Sequence, residues 1–140
     1  MTSELEQWAA DMVRARVPFK AHGRDRSGLD CWGLARLGYL EAGGREFASH
    51  SEEYDGVRDF IRLQELFERH RDREGWIKVE PEKPFDLVLL RLRGLPIHVG
   101  LVIGGGRMVH IEENIEVCVE NYKSAMWRNR VLGFYRPRSD

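Results

Sequence analysis

The sequence has few cysteines, no long apolar run and no excess of charge of either sign. Its two cysteines, Cys31 and Cys118, lie far apart, which excludes a disulfide framework and a cysteine-rich zinc fold and favours a reducing compartment. No segment approaches the roughly 20 apolar residues of a membrane-spanning helix. The 22 basic and 23 acidic residues leave a formal charge of −1, so no global field attracts nucleic acid or an anionic membrane. We therefore expect neither nucleic acid binding nor membrane insertion.

The N-terminus lacks the features of a secretory signal, and the length suits one domain. Residues 1–8 are acidic and amphipathic, without a basic segment followed by an apolar core. We expect synthesis in the cytoplasm without a signal peptide. The whole chain, 1–140, is long enough for a single core that buries roughly 68–70% of the unfolded surface.

The apolar pattern is helical in the first half of the chain and strand-like in the second. Ser3 and Glu6 form a capping-box signal for a first helix, and a second helix is predicted over about 30–42, before two glycines. A third is predicted over about 56–73. Short apolar runs then predict strands at 76–79, 85–92, 97–103, 107–111, 115–119 and 131–135. Helices followed by strands indicate an α+β fold, with the helices packed on a small antiparallel sheet.

Cys31 is the strongest candidate for a chemical role. It lies in the run SGLDCWGL at 27–34, where a turn leads directly into the second predicted helix. A thiol at this position meets unpaired backbone N–H groups and the positive end of the helix dipole, and both favour the thiolate. The pattern predicts a nucleophile. Cys118, which shares a strand face with Glu116 and Glu120, is interpreted as incidental.

Two histidines twelve residues apart, His98 and His110, complete a possible Cys-His-His triad. They lie on consecutive predicted strands joined by the three glycines at 104–106. If all three glycines form the loop, His110 falls opposite Gly100 and diagonal to His98, within reach of its ring. A two-residue loop would instead place the two histidines on opposite faces.

Other sites near this hairpin are not expected. Glu112 and Glu113 follow His110 without a second ligand at metal spacing, which argues against zinc. The glycines at 104–106 are followed neither by a helix nor by a Lys-Ser/Thr pair, which argues against a phosphate loop. We therefore expect neither a zinc site nor a phosphate-binding loop at this hairpin.

These segments together resemble the NlpC-type cell-wall cysteine peptidases. The similar segments are GLDCWGL at 28–34, DLVL at 86–89, HVGLVIG at 98–104 and His110, and the resemblance covers roughly 17–137. The segment PFKAHGR at 18–24 and the tryptophan after the cysteine are most similar to the branch encoded in phage tails and tail-derived gene transfer agents.

The resemblance implies a fold and a reaction. The family's fold is a reduced papain-like one, with a nucleophile helix packed on a small antiparallel sheet. Its usual reaction hydrolyses the γ-D-glutamyl bond to diaminopimelate in peptidoglycan stem peptides, without metal or cofactor. By resemblance Cys31 is the nucleophile, His98 the general base and then acid, and His110 the group that orients His98.

The resemblance also places four residues at the substrate-binding cleft. Phe19 stands where many members of the family carry a tyrosine, and Trp32 stands where a serine is common. Asp30 is expected chiefly to cap the nucleophile helix, and His22 to lie at the rim of the cleft.

The leading hypothesis is a thiol peptidase carried in a phage-like tail or gene transfer agent to open the host wall. Its expected partners are the peptidoglycan peptide and larger tail hub or baseplate proteins, and its final location is a virion-like particle. Two alternatives stay open. One is a catalytically idle structural adaptor at the tail tip, and the other is a cytoplasmic amidase or acyltransferase on the same fold.

Overall fold

The computed structural model describes residues 3–45, 76–92 and 95–137. The predicted third helix, over 56–73, lies outside these residues. The described elements are the helices α1 (Glu4–Arg14) and α2 (Cys31–Gly43) and the strands β1 (Arg24–Asp25), β2 (Gly28–Leu29), β3 (Trp76–Val79), β4 (Leu87–Leu92), β5 (Leu95–Gly104), β6 (Arg107–His110), β7 (Cys118–Asn121) and β8 (Val131–Pro137). Neither helix within the described ranges is long and apolar enough to cross a bilayer.

Helix α1 begins with the predicted capping box. The Ser3 side chain accepts from the Glu6 N–H at 3.0 Å, and the Glu6 carboxylate accepts from the Ser3 N–H, so two N–H groups that the helix cannot pair are satisfied. The buried face of α1 consists of Leu5, Trp8, Ala9 and Met12. Glu6 also bonds Arg107 at 2.7 Å and so ties the start of α1 to strand β6.

Helix α2 packs against both strand β5 and helix α1. Its N-cap is Asp30, and it ends at Gly44, whose φ of 65° is the left-handed conformation that glycine adopts without strain. A Cβ added at Gly38 would lie 2.5 Å from the Leu101 side chain and 3.1 Å from the Trp8 ring. The bare glycine therefore lets α2 approach both β5 and α1 closely.

The main sheet has six strands in the order β3-β8-β4-β5-β6-β7, and every neighbouring pair is antiparallel. The predicted α+β fold with helices on an antiparallel sheet is confirmed. A second, two-stranded sheet pairs β1 with β2 just before α2, and the sequence patterns did not predict it.

One predicted strand is displaced. The run at 115–119 was expected to be a strand, but β7 begins only at Cys118. The chain turns first, with the Ile115 N–H bonded to the Glu112 carbonyl at 3.1 Å and Asn114 at a φ of 70°. The Val117 N–H then bonds the Val17 carbonyl at 2.9 Å, so this residue pairs with the segment after α1 and not with the sheet.

The two faces of the sheet are both buried, but by different partners. On one face, Leu89, Val99, Leu101 and Val109 join the cluster formed by the two helices. On the other face, a smaller cluster of Val88, Leu90, Val102, Met108, Tyr122 and Trp127 is covered by the chain between β7 and β8. By strand alternation, His98 and His110 project from this second face, while α2 lies on the first.

Candidate active site

The β5-β6 hairpin brings the two histidines to one face, but by a different turn from the one expected. Gly104 pairs with Arg107, so the loop contains two glycines rather than three. An irregularity between Val102 and Gly104 then shifts the register by one residue. Leu101 therefore pairs with Val109, which restores the parity that a regular two-residue loop would lose.

The predicted contact between the histidines is confirmed. His98 Nε2 and His110 Nδ1 lie 2.9 Å apart, and both residues are almost fully buried, with 2% and 1% of their surfaces exposed. Trp127 covers the pair. Its ring stacks on His98 at a centroid distance of 6.0 Å and meets His110 edge-on at 5.2 Å. One tryptophan ring thus packs against both histidines.

Glu120 extends the pair into a chain of three groups. One of its carboxylate oxygens lies 2.5 Å from His110 Nε2. Because a carboxylate accepts, His110 donates from Nε2 and its Nδ1 is left as the acceptor for the His98 Nε2–H. The remaining nitrogen of His98, Nδ1, then carries a lone pair. This is the tautomer that a general base needs.

Cys31 is the first residue of α2 and packs against the cluster on the helical face of the sheet. Its thiol lies against the backbone N–H of Val99, the residue that follows His98. The described pairing of β5 with β6 runs only between Leu101 and Gly104, so β6 leaves this side of β5 uncovered at Val99. The hydrogen bonds of the described residues include none between Cys31 and His98.

The Cys31 thiol and the His98 ring are both uncharged in the resting site. Burial, together with the charge of Asp30, raises the pKa of the Cys31 thiol to about 12 and outweighs the backbone N–H groups of Val99 and Trp32, which lower it. Burial, together with His110, lowers the pKa of His98 to about 3. The backbone N–H groups favour the thiolate, as expected, but desolvation of the thiol and the neighbouring Asp30 carboxylate outweigh them.

Burial also lowers the pKa of His110, while the hydrogen bond and charge of Glu120 act in the opposite direction. Burial outweighs the carboxylate, so His110 is neutral near pH 7 and keeps one nitrogen as an acceptor. This agrees with its role as the link between Glu120 and His98.

Asp30 organises the turn before the nucleophile. One carboxylate oxygen accepts from the Gly33 N–H and from Arg24 Nη1, both at 2.8 Å, and the other accepts from the His22 N–H at 3.1 Å. Asp30 is 5% exposed, so its carboxylate is occupied by the protein itself. The expected role of Asp30 as a helix cap is confirmed, and the same bonds position His22 beside the cap.

The other two residues expected at the cleft lie largely inside the protein. Trp32 is 9% exposed and belongs to the core on the helical face. Phe19 is partly buried against the same core, and its backbone bridges to Leu29 just before the nucleophile helix. Both side chains therefore contribute to the buried surroundings of Cys31.

Sequence reasoning missed two residues that lie beside the histidines. Glu120 was noted only as a neighbour of Cys118 on one strand face, and Cys118 was interpreted as incidental. The register places His110 directly opposite Cys118, and the Cys118 thiol lies 3.4 Å from His110 Nε2. The alternation of residues 116–120 indicated that Cys118 and Glu120 share a strand face. Only the pairing of β7 with β6 shows that this face lies beside His110.

Residues 16–136 match the model of the NlpC/P60 family. A gamma-DL-glutamyl hydrolase of Bacillus subtilis (strain 168) is 35% identical over 69 residues, which cover 46% of this chain and 17% of that protein. The chain therefore spans less than a fifth of the length of this curated relative.

Solved structures show the same fold. The NlpC/p60 domain of the peptidoglycan hydrolase SagA superposes with a TM-score of 0.56 at 22% identity, covering 91% of this chain and 97% of that one. NlpC2 from Trichomonas vaginalis superposes with a TM-score of 0.61 at 16% identity, covering 97% of this chain and 49% of that one. The papain-like α+β fold expected from the resemblance is thereby confirmed.

Proposed function

The chain belongs to the NlpC/P60 family, and we propose that it is a cysteine peptidase that cleaves the γ-D-glutamyl bond to diaminopimelate in peptidoglycan stem peptides. The observation that carries the proposal is the buried hydrogen bond between His98 and His110, 2.9 Å long and backed by Glu120. A buried, oriented imidazole beside the segment that holds Cys31 supports nucleophilic catalysis. The partial similarity to a gamma-DL-glutamyl hydrolase supports this class of bond.

In the proposed acylation step, His98 Nδ1 takes the proton of the Cys31 thiol while the sulfur attacks the carbonyl carbon of the γ-D-glutamyl group. Because the isolated thiol and imidazole are both neutral near pH 7, the thiolate forms through this transfer. The carbonyl oxygen becomes an oxyanion. The N–H of Cys31, at the first position of α2, has no carbonyl acceptor within the helix and is suited to hold that charge.

Collapse of the tetrahedral intermediate breaks the carbon–nitrogen bond. The proton on His98 passes to the leaving amine of diaminopimelate, and the glutamyl group stays on Cys31 as a thioester. Water then attacks the thioester with His98 as base, which releases a free γ-carboxylate and returns the proton to the thiol. His110 and Glu120 touch no reacting atom and act as positioning residues.

We propose that His22, Phe19 and Trp32 border the bound peptide. Asp30 acts indirectly, by positioning the His22 backbone and the start of α2. Two hydrogen bonds to one buried carboxylate fix the His22 backbone and the start of α2 relative to each other. Trp32 belongs to the core cluster against which Phe19 and Cys31 both pack.

The test is to incubate the purified protein with defined muropeptides and to identify the products by mass spectrometry. The expected product is a free L-Ala–D-Glu fragment. Cys31→Ser should abolish hydrolysis while the far-UV circular dichroism stays native, and His98→Ala should lower the rate by about 10²–10⁴-fold, as expected for loss of a general base. Cys118→Ser, which removes the other thiol, is the matched control and should lose less than about tenfold.

Cleavage at another bond would be consistent with a peptidase but would overturn the proposed substrate class. Turnover that survives Cys31→Ser would overturn the mechanism. No hydrolysis of any muropeptide by the folded protein would favour the structural adaptor, and amide or acyl transfer to small acceptors would favour the cytoplasmic amidase or acyltransferase.

We further propose that the protein works as part of a phage-like tail or gene transfer agent, in contact with a larger hub or baseplate protein. The similarity of the segment at 18–24 and of Trp32 to the tail-encoded branch supports this context. Contact is expected through the exposed face of α1, on the side of that helix away from the core. Fractionation of particles, followed by cross-linking, tests the proposal, which fails if the protein is absent from purified particles.

A further inference from the structure

A second set of ligand atoms converges behind the histidine pair. The pairing of β6 with β7 places His110 opposite Cys118, and Glu120 follows two residues later on the same face. The His110 Nε2 atom lies 3.4 Å from the Cys118 thiol and 2.5 Å from a Glu120 oxygen, and the thiol lies 4.0 Å from that oxygen. One nitrogen, one sulfur and one oxygen donor thus surround a single point.

The spacing of these donors is close to that of a tetrahedral metal site. Zinc bonds of about 2.0–2.3 Å at tetrahedral angles imply ligand-to-ligand distances of about 3.3–3.8 Å. The His110–Cys118 separation already has this value, and the Cys118–Glu120 separation is slightly longer. Only the Glu120 oxygen must move, by less than about 1 Å, and its side chain is 33% exposed and can do so.

We propose that His110, Cys118 and Glu120 form a binding site for a thiophilic divalent cation of the Zn²⁺ class, and that its occupation switches off the histidine pair. Three protein ligands leave the fourth position for water, as in open zinc sites. The other cluster of this kind among the described residues joins His98, His110 and Glu112. It is less suitable for a thiophilic cation because it contains no sulfur donor.

The predicted switch follows from the tautomers and rests on the proposed function. The cation takes the lone pair of His110 Nε2, so the single ring proton of His110 moves to Nδ1 and is donated to His98 Nε2. His98 then carries its own proton on Nδ1 and has no lone pair there to accept the Cys31 proton. The ring protons are conserved in number, and the proton lost from the Cys118 thiol passes to solvent.

Metal binding is tested separately from activity, with Co²⁺ as the probe. The Cys31→Ser variant, which keeps only Cys118, should develop the near-ultraviolet thiolate-to-cobalt charge-transfer band on titration with Co²⁺. Cys118→Ser, which keeps only Cys31, should lack the band or need at least about tenfold more Co²⁺, since even outer-shell changes weaken metal sites by 10–100-fold. Glu120→Gln in the Cys31→Ser background should weaken binding without removing the thiol.

A band that survives in Cys118→Ser and is lost in Cys31→Ser would overturn the site, because the metal would then bind the proposed nucleophile. Circular dichroism confirms that each variant is folded. If Cys118→Ser does not fold, the cobalt affinity of the Glu120→Gln variant in the Cys31→Ser background is the deciding measurement. An unchanged affinity in that variant overturns the three-ligand site.

Inhibition tests the switch. Zn²⁺ should lower muropeptide hydrolysis by more than tenfold in the wild type, and Cys118→Ser, measured against its own metal-free rate, should need at least about tenfold more Zn²⁺ for the same fractional loss. Equal sensitivity of the two proteins would overturn the switch. A protein that binds Co²⁺ as predicted but hydrolyses no muropeptide would refute the proposed function and leave the metal site standing.

Discussion

At the residue scale, one carboxylate decides the chemistry of the histidine pair. Two adjacent imidazoles can share a proton in either direction, and geometry alone does not choose between the two tautomers. Glu120 chooses, because it can only accept from His110 Nε2–H and thereby makes His98 donate from Nε2. Glu120 thus leaves the lone pair on His98 Nδ1, although it contacts no reacting atom in the proposed mechanism.

Replacing Glu120 tests this tautomer argument. Glu120→Ala should lower kcat about 10–100-fold with little change in KM, since a hydrogen bond to a charged group contributes about 1.5–3 kcal/mol. Glu120→Gln should recover much of the loss, because its amide oxygen still accepts from His110. Steady-state kinetics on a muropeptide measure both, with the exposed Glu113→Ala as control. Equal loss in the Ala and Gln variants would show that charge matters and the acceptor does not.

At the element scale, the start of α2 depends on one close backbone approach. A Cβ added at Gly33 would lie 2.0 Å from the Gly23 carbonyl oxygen and 3.2 Å from the Asp30 carboxylate. The β1-β2 hairpin and the helix N-terminus can therefore touch only because position 33 has no side chain. This contact holds the turn that presents Cys31.

Gly33→Ala should displace this turn. Although alanine favours a helix by up to about 1 kcal/mol over glycine, the clash with backbone should outweigh that gain and destabilise the fold by about 1–3 kcal/mol. The rate of muropeptide hydrolysis should fall as well, because this turn presents Cys31. The free energy of unfolding in urea measures the effect.

Gly43→Ala, at the other end of the same helix, is the matched control. The three atoms nearest to its Cβ would all belong to the Phe85 ring, at 3.0 Å or more, and this side chain can shift. It should be near neutral or slightly stabilising. Equal destabilisation by both substitutions would contradict the close approach at Gly33.

At the scale of the whole molecule, a buried ion pair joins the beginning of β4 to the end of the chain. Asp86, 1% exposed, accepts two hydrogen bonds from Arg136 on β8, at 2.6 and 2.8 Å, and one from the Lys83 N–H at 2.7 Å. Residues 50 positions apart are thereby tied across the sheet.

Arg136→Met should leave the buried Asp86 carboxylate with one backbone donor and destabilise the protein by about 3–5 kcal/mol. Adding Asp86→Leu should restore part of the loss, because two apolar side chains need no partner. Arg16→Met, which breaks an exposed pair with Glu116, should change stability by less than about 1 kcal/mol. Urea denaturation measures all three. A double variant less stable than Arg136→Met alone would contradict the argument.

Local patterns in the sequence determined much of the fold. The capping box, the glycine end of α2 and the alternation of β5 and β6 each depend on neighbours in the chain. The family resemblance, which identified Cys31, His98 and His110 as candidate catalytic residues, also depends on short segments and their spacing. The contact between the histidines followed from parity because one hairpin contains both.

Only the tertiary structure decided which groups meet across separate elements. The partners of His110 on β7, the N–H of Val99 against Cys31, and the ion pair of Asp86 with Arg136 depend on strand order and register. The pKa of Cys31 is the clearest case. N–H groups at a helix N-terminus favour a lowered pKa, but burial of the thiol and the charge of Asp30 raise the pKa of Cys31, because together they outweigh those N–H groups.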